Sequence, residues 1–401
     1  MNFEGIKKHK SFVFITTLGF ALGVRQMAMT MVMPFLSVYS RNLENTTPLL
    51  ASISLGIFGL MQAIFQIPYG IWSDKKGNKI VMIVGLLQVI FGLLLAYYAK
   101  DIYTLILARA IQGSGAVIGV GYSWIASKSE SQKERINNLS IISIIVGSAA
   151  ACSFALGPMI HRFVSVKNMF LYSALLIFIA WIVIIFFLKD SRNQIDDNAV
   201  STKDIIKILM KDKSFIALNL GAFINNFIMT AVFFVIPQYL EKLIGIDGMW
   251  KVFMPTVLIA IIIMRIVVKK LNNVKSINFL ISSFLICAIG ICFYINKNSL
   301  VSIFIGTLFF MIAYISVGTI VPSLGNYILE ESYRGVGNGI INSLQYVGSF
   351  IGSIVIGVMW SINEIGSFII LTLILILASI LIKIFVNKEK FDEEKNIRNC
   401  I

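Results

Sequence analysis

The amino-acid sequence predicts an all-α integral membrane protein of about twelve transmembrane helices, arranged as two six-helix halves. Three observations predict it. Of 401 residues, 57% are hydrophobic and only 13% charged, with a mean hydropathy of +0.85; soluble globular domains carry about 25% charged residues. Runs of about twenty apolar residues recur along the chain, each long enough to cross a hydrocarbon core of roughly 30 Å. The short segments between those runs alternate between cation-rich and cation-poor.

The runs place spans at about 12–39, 49–72, 80–99, 102–127, 137–160 and 168–188 in the first half. They continue at about 214–240, 249–268, 277–295, 299–322, 335–360 and 365–386. Several exceed twenty residues, so tilt or extension beyond the bilayer is expected. The first run follows Lys7, Lys8 and Lys10 and is too long for a signal-peptide core. Residues 189–213 are the one long polar connection. The expected division is therefore 1–188 as the N-terminal half, 189–213 as a cytoplasmic linker, 214–386 as the C-terminal half and 387–401 as a cytoplasmic tail.

With the N-terminus placed in the cytoplasm, the inner segments carry 24 Lys and Arg and the outer ones 7. Cation bias of this kind sets orientation, so both termini are expected inside a plasma (inner) membrane. The same bias explains most of the formal charge of +14. A nucleic-acid partner is not expected, because no segment interleaves these cations with stacking aromatics. Cys152, Cys287, Cys292 and Cys400 lack metal-ligand spacing and read as small hydrophobes. Neither metal nor cofactor is expected, and no nucleophile–base pair or phosphate loop points to an enzyme.

The strongest local pattern lies between spans two and three: Gly70-Ile-Trp-Ser-Asp74-Lys75-Lys76-Gly77-Asn78-Lys79. Gly77 suits a tight turn, and Asp74 can pair with cations or a helix N-terminus. Span four carries Arg109 followed by Gln112-Gly113-Ser114-Gly115. A charge at such depth should face a cavity or a partner, and the small residues permit close helix contact. Arg25 in span one lies about 20 Å from the basic N-terminus at 1.5 Å per residue, too deep for easy snorkelling. Span five holds Gly157-Pro158, followed by His161-Arg162. Other embedded polar residues are Gln62 and Gln66, on one helix face; Asn225 and Asn226, which as neighbours point apart; and Asn338, Asn342 and Gln345, on one face of span eleven. They either line a cavity or fasten helices together. Tyr122, Trp124 and Tyr346 are aromatic wall candidates, with ordinary packing favoured.

These motifs resemble those of the major facilitator superfamily. The 70–79 segment is similar to its loop signature, with Asn78 in place of a basic residue, and 109–115 is similar to its arginine and Gln-Gly-x-Gly signature. Gly157-Pro158 matches part of its antiporter signature, with His161 and Arg162 replacing two glycines. Together with Pro34, Pro68, Thr319-Ile-Val-Pro322 and the glycines at 335, 337, 339 and 348, the resemblance narrows to YajR-like members of the twelve-span drug:proton antiporter group. Those relatives carry an additional soluble C-terminal domain that this chain is expected to lack, and often an aspartate where Ser127 stands here, with Glu130 the nearest acid.

The resemblance implies a monomeric secondary transporter in the lipid bilayer, alternating its access to a small-molecule substrate between two halves. Asp74, Lys75 and Lys79 would latch one side, and Arg25 and Arg109 would set the electrostatics of the site. Proton-coupled efflux is the first expectation, with protons the candidate coupling ion. No Asp or Glu lies in the middle of any span, so either Asp74 titrates, or coupling is indirect, or there is none. A nutrient facilitator or symporter, and a non-transporting receptor or assembly factor on the same fold, remain alternatives.

Overall fold

Short polar caps fix where the apolar runs become helices. The Thr47 side chain accepts from Leu50 N (3.2 Å), Asp101 from Thr104 N (2.9 Å) and Ser165 from Asn168 N (3.3 Å). Asp212 accepts from Ser214 N (2.9 Å), Ser299 from Ser302 N (3.2 Å) and Asn363 from Gly366 N (3.0 Å). Each satisfies a backbone donor that the first helical turn leaves open. The computed structural model describes residues 3–129, 131–190, 202–269, 273–330, 333–387 and residue 391. Among them, twelve helices are long and apolar enough to cross a membrane, and none of these residues belongs to a β-strand longer than an isolated bridge. The chain has an all-α membrane fold.

The chain separates into two units, Met1–Asp197 and Asn198–Ile401. Unit 1 contains α1 (Phe3–Met31), α2 (Met33–Arg41), α3 (Pro48–Lys76), α4 (Asn78–Tyr98), α5 (Ile102–Ser114), α6 (Val117–Lys128), α7 (Gln132–His161) and α8 (Val166–Phe187). In it α1 packs on α7 and α8, α3 on α5, and α4 on both α5 and α8. Unit 2 contains α9 (Thr202–Leu209), α10 (Lys213–Ile244), a 3-10 turn (Ile246–Gly248), α11 (Trp250–Val268), α12 (Asn273–Phe293), α13 (Leu300–Ile328), α14 (Arg334–Ile362) and α15 (Glu364–Phe385). Its centre is α10, packed on α13, α14 and α15.

Two spans depart from the sequence reading, and two polar segments carry structure that hydropathy does not show. The run 12–39 is not one helix: α1 ends at Met31 and α2 restarts at Met33, because Pro34 in the first turn of α2 has no N–H to continue the ladder. Span four, read as continuous over 102–127, is broken at Gly115 and Ala116. Ala116 N bonds to Ser114 O and Val117 N to Gly115 O, both at 2.9 Å. These are two successive inverse γ-turns, with φ/ψ of −75/62° and −78/57°. Irregular backbone at such depth survives only inside protein, and Ala116 and Val117 are buried. The 189–213 connection contains α9, whose Ile205 and Leu209, one turn apart, are buried while Lys203 and Lys207 stay exposed; residues 191–201 lie outside the described residues. In the 387–401 segment, Phe391 is buried and stacks on Tyr327 (5.7 Å between centroids); residues 388–390 and 392–401, Cys400 included, lie outside the described residues. Of the other cysteines only Cys287 is buried; Cys152 and Cys292 are exposed, so the reading of all of them as buried small hydrophobes holds for Cys287 alone.

Candidate functional site: a buried arginine pair and a latched loop

Two side chains of α1 and α5 meet α3 inside unit 1. Arg25 is 1% exposed and Arg109 2%. Arg25 Nη2 donates to Gln62 Oε1 at 2.6 Å. Arg109 Nη1 donates to Gln112 Oε1 at 2.7 Å, and its Nε to Ser54 O at 3.3 Å. Gln112 in turn donates through Nε2 to Gly92 O at 3.0 Å, tying α5 to α4. Both guanidinium groups lie against one ring: Phe58 is 5.5 Å from Arg25 Cζ and 4.9 Å from Arg109 Cζ. An arginine in a membrane helix costs at least about 2.5–3.5 kcal/mol unless it is solvated by the protein. Here amide oxygens, a carbonyl and an aromatic face replace water.

The small residues after Arg109 make this arrangement possible. A Cβ at Gly113 would overlap Phe58 O, and one at Gly115 would overlap Gly85 O. The glycines let α5 touch the backbones of α3 and α4, which brings Phe58 under both arginines. Phe58 carried no signal in the sequence, being one apolar residue in an apolar run. Of the other embedded glutamines, Gln62 is buried beside Arg25, whereas Gln66 is half-buried over Gly119; its buried Oε1 accepts no hydrogen bond among the described residues. Trp124 is fully buried and packs edge-on to Phe14 at 5.5 Å, as core.

The loop signature lies at a different place. Asp74, Lys75 and Lys76 are exposed on unit 1, while Gly77 and Asn78 are buried. Gly77 adopts φ +97° and ψ +151°, a region essentially restricted to glycine. Asp190, from the chain just after α8, puts its carboxylate where a Gly77 side chain would be. Its Oδ1 accepts from Lys79 N at 3.0 Å, and Lys79 Nζ reaches Ile185 O at 2.7 Å. A carboxylate thus sits on the N-terminus of α4, where the helix dipole favours it. By sequence Asp190 belongs to the 189–213 linker. At Ser127, the position where the resemblance leads one to look for an aspartate, Oγ turns back to Trp124 O at 2.9 Å, and Glu130 lies outside the described residues.

Gly157 and Pro158 serve a third contact. A Cβ at Gly157 would lie 2.9 Å from Met31 O, beside the α1–α2 break, and His161 stacks on Phe35 at 4.7 Å. In unit 2, Asn225 Nδ2 ties α10 to Tyr314 O (3.3 Å) and Asn226 bonds back to Ala222 O (3.4 Å). Asn338 bonds Asn326 Oδ1 at 2.8 Å. Asn342 and Gln345 are half-buried and make no side-chain hydrogen bond among the described residues. Glycines again bring backbones together, Gly348 and Gly352 of α14 against Phe223 and Phe227 of α10.

Comparison with known proteins places this geometry. The profile of the Major Facilitator Superfamily matches residues 18–353. An uncharacterized transporter of Buchnera aphidicola (subsp. Baizongia pistaciae) is 28% identical over 374 residues, 90% of this chain and 93% of that protein. The inner membrane transport protein YajR of Escherichia coli is 26% identical over 343 residues, 84% of this chain and 74% of that protein. Among solved structures, a D-xylose–proton symporter superposes with a TM-score of 0.73 at 14% identity, covering 94% of this chain and 98% of that one, a likeness of fold. The chain belongs to the Major Facilitator Superfamily, and is a multi-pass membrane transporter rather than an enzyme.

Proposed function

We propose that the chain is a secondary transporter of the plasma (inner) membrane that exports a small molecule by alternating access, coupled to protons, with both termini in the cytoplasm. The observation that carries this reading is the retention, in one unit, of an arginine pair held inside the spans and a loop whose Lys79 backbone is bound by a carboxylate 111 residues away. A scaffold needs neither, and intramembrane charges otherwise mark substrate or ion paths. In this account Asp74, Lys75, Gly77 and Lys79 form the cytoplasmic latch, Asp190 fastens its base, and the 189–213 connection joins two halves of six spans. The chain acts as a monomer. Resemblance to the drug:proton antiporter group supports the outward direction.

One observation favours a second reading. The interiors of the spans contain no Asp or Glu, the usual carriers of a coupling proton, which suits a facilitator working down the gradient of its solute. Proteoliposomes decide between the two. Solute flux that follows an imposed pH gradient, and is lost in Asp74→Asn, supports coupling. Counterflow of equal rate with and without the gradient assigns the facilitator.

A further inference from the structure

The spans of unit 1 hold two formal charges in their apolar interiors, Arg25 and Arg109, and both are positive. No Asp or Glu occurs from residue 5 to 43, 45 to 73 or 102 to 129, the stretches that carry the pair and the helix between. The fold solvates the two guanidinium groups with Gln62 Oε1, Gln112 Oε1, Ser54 O and the Phe58 ring. These dipoles stabilise each cation without cancelling its charge. Two like charges around one ring, in a medium of low dielectric, repel each other and any further cation, and attract an anion from either side.

We propose that the Arg25–Arg109 pair is a binding site for a small organic anion, a carboxylate or sulfonate, and that the transported substrate class is anionic. The proposal deepens the transport reading and rests on it for the word substrate. The geometry suits such a ligand. Gln112 and Ser54 engage Nη1 and Nε of Arg109; its Nη2 is engaged by no described residue and can donate a charge-assisted hydrogen bond to one oxygen of an oxyanion. Phe58 offers an apolar wall for the organic part. Gln62, which holds Arg25 from α3, contributes no charge of its own. An anion entering this site relieves the repulsion between the two guanidinium groups, whereas a neutral isostere gains only packing, and a cation adds to the repulsion. The depth of Arg25, about 20 Å along its helix from the basic N-terminus, separates it from headgroups on the side of that terminus.

The test is thermal unfolding of the purified full chain in detergent against matched ligand triples, beginning with benzoate, benzamide and benzamidinium at constant ionic strength. The carboxylate member is expected to raise Tm above its neutral and cationic partners. Arg25→Gln or Arg109→Gln should lower its affinity about tenfold or more, and Arg109→Lys should keep part of the preference. Gln62→Glu keeps the size of the side chain and should fold where the arginine variants do not; it supplies an internal carboxylate and should abolish the preference for anions. Carboxylates that stabilise no better than amides across the panel overturn the proposal. So does an anion preference undiminished in every variant, which would mark binding to the basic surface. Phosphatidylglycerol titrated into the same samples separates a lipid source: stabilisation by the lipid alone, lost in the Gln variants, overturns assignment to a soluble anion. A carboxylate that binds wild type but is not moved in counterflow removes the transport reading and leaves the site. Flux of a neutral solute, indifferent to carboxylates and to both Gln variants, does the reverse.

Discussion

The carboxylate of Asp190 occupies the volume that any side chain at position 77 would need, so the glycine and the aspartate are two halves of one feature. The absent Cβ admits the carboxylate to the N-terminus of α4, and the φ of +97° at Gly77 aims the Lys79 N–H at it. A pattern that looks like a flexible turn is a fitted joint between the second–third span loop and the end of the sixth.

Replacing Gly77 by alanine therefore meets two penalties, a backbone conformation that costs about 1–3 kcal/mol for a non-glycine residue and displacement of Asp190. Asp190→Ala alone loses a cap worth about 1 kcal/mol. The two losses should not add: in the double variant nothing remains to be displaced, and its loss of stability is expected to fall below the sum of the singles. Unfolding of the four proteins in detergent measures the cycle, and strict additivity would show that the two residues do not interact.

How much of this was legible beforehand can be seen in single residues. The spans and their number follow from hydropathy, because length and apolarity are local properties; caps such as Thr47, Asp101 and Asn363 come from the structure. Arg25, Arg109, Gln62 and Gln112 stood out because a polar residue in an apolar run is conspicuous. Asp190 did not, being one acid in a polar segment, 111 residues from its partner. Phe58 did not because its importance lies in what α1 and α5 bring to it. The break after Ser114 is hidden too: Gly113 and Gly115 read from sequence only as residues that permit close helix contact, and the two γ-turns have no separate signature.

The glutamines that solvate the arginines differ in how much they hold. Gln62 makes one bond to Arg25, whereas Gln112 bonds both Arg109 and Gly92 O. Gln62→Leu should lose about 1.5–3 kcal/mol, the worth of a hydrogen bond to a charged group, and Gln112→Leu more than that. Thermal unfolding ranks them; equal losses would mean that the bond to Gly92 contributes nothing.

Glycines of the spans should divide sharply. Gly113→Ala forces α5 away from Phe58 O, and a loss of about 1–3 kcal/mol is expected, as for other overpacked contacts. Gly147 has open space around its Cα, and Gly147→Ala should be neutral or gain up to about 1 kcal/mol from helix propensity. Matched melts of the two variants check this. A tolerated Gly113→Ala would deny the close contact.

Asp101 gives a pH dependence of defined sign. The backbone N–H of Thr104, and then its hydroxyl, hold the Asp101 carboxyl below the usual carboxylate range. A folded-state value below the unfolded one means that the cap contributes fully above the unfolded value and is lost as pH falls through the folded value. Wild type should lose stability more steeply on acidification than Asp101→Asn. Parallel curves would remove the carboxylate from the account of α5 nucleation.

The interruption at Gly115 and Ala116 makes the fourth span two short rods joined by a swivel. No helical ladder runs across the joint, so the direction of Val117–Lys128 is set by what it packs on rather than by Ile102–Ser114. The contact of Arg109 with Phe58 therefore belongs to the first rod alone, and the second rod can be oriented without reference to it.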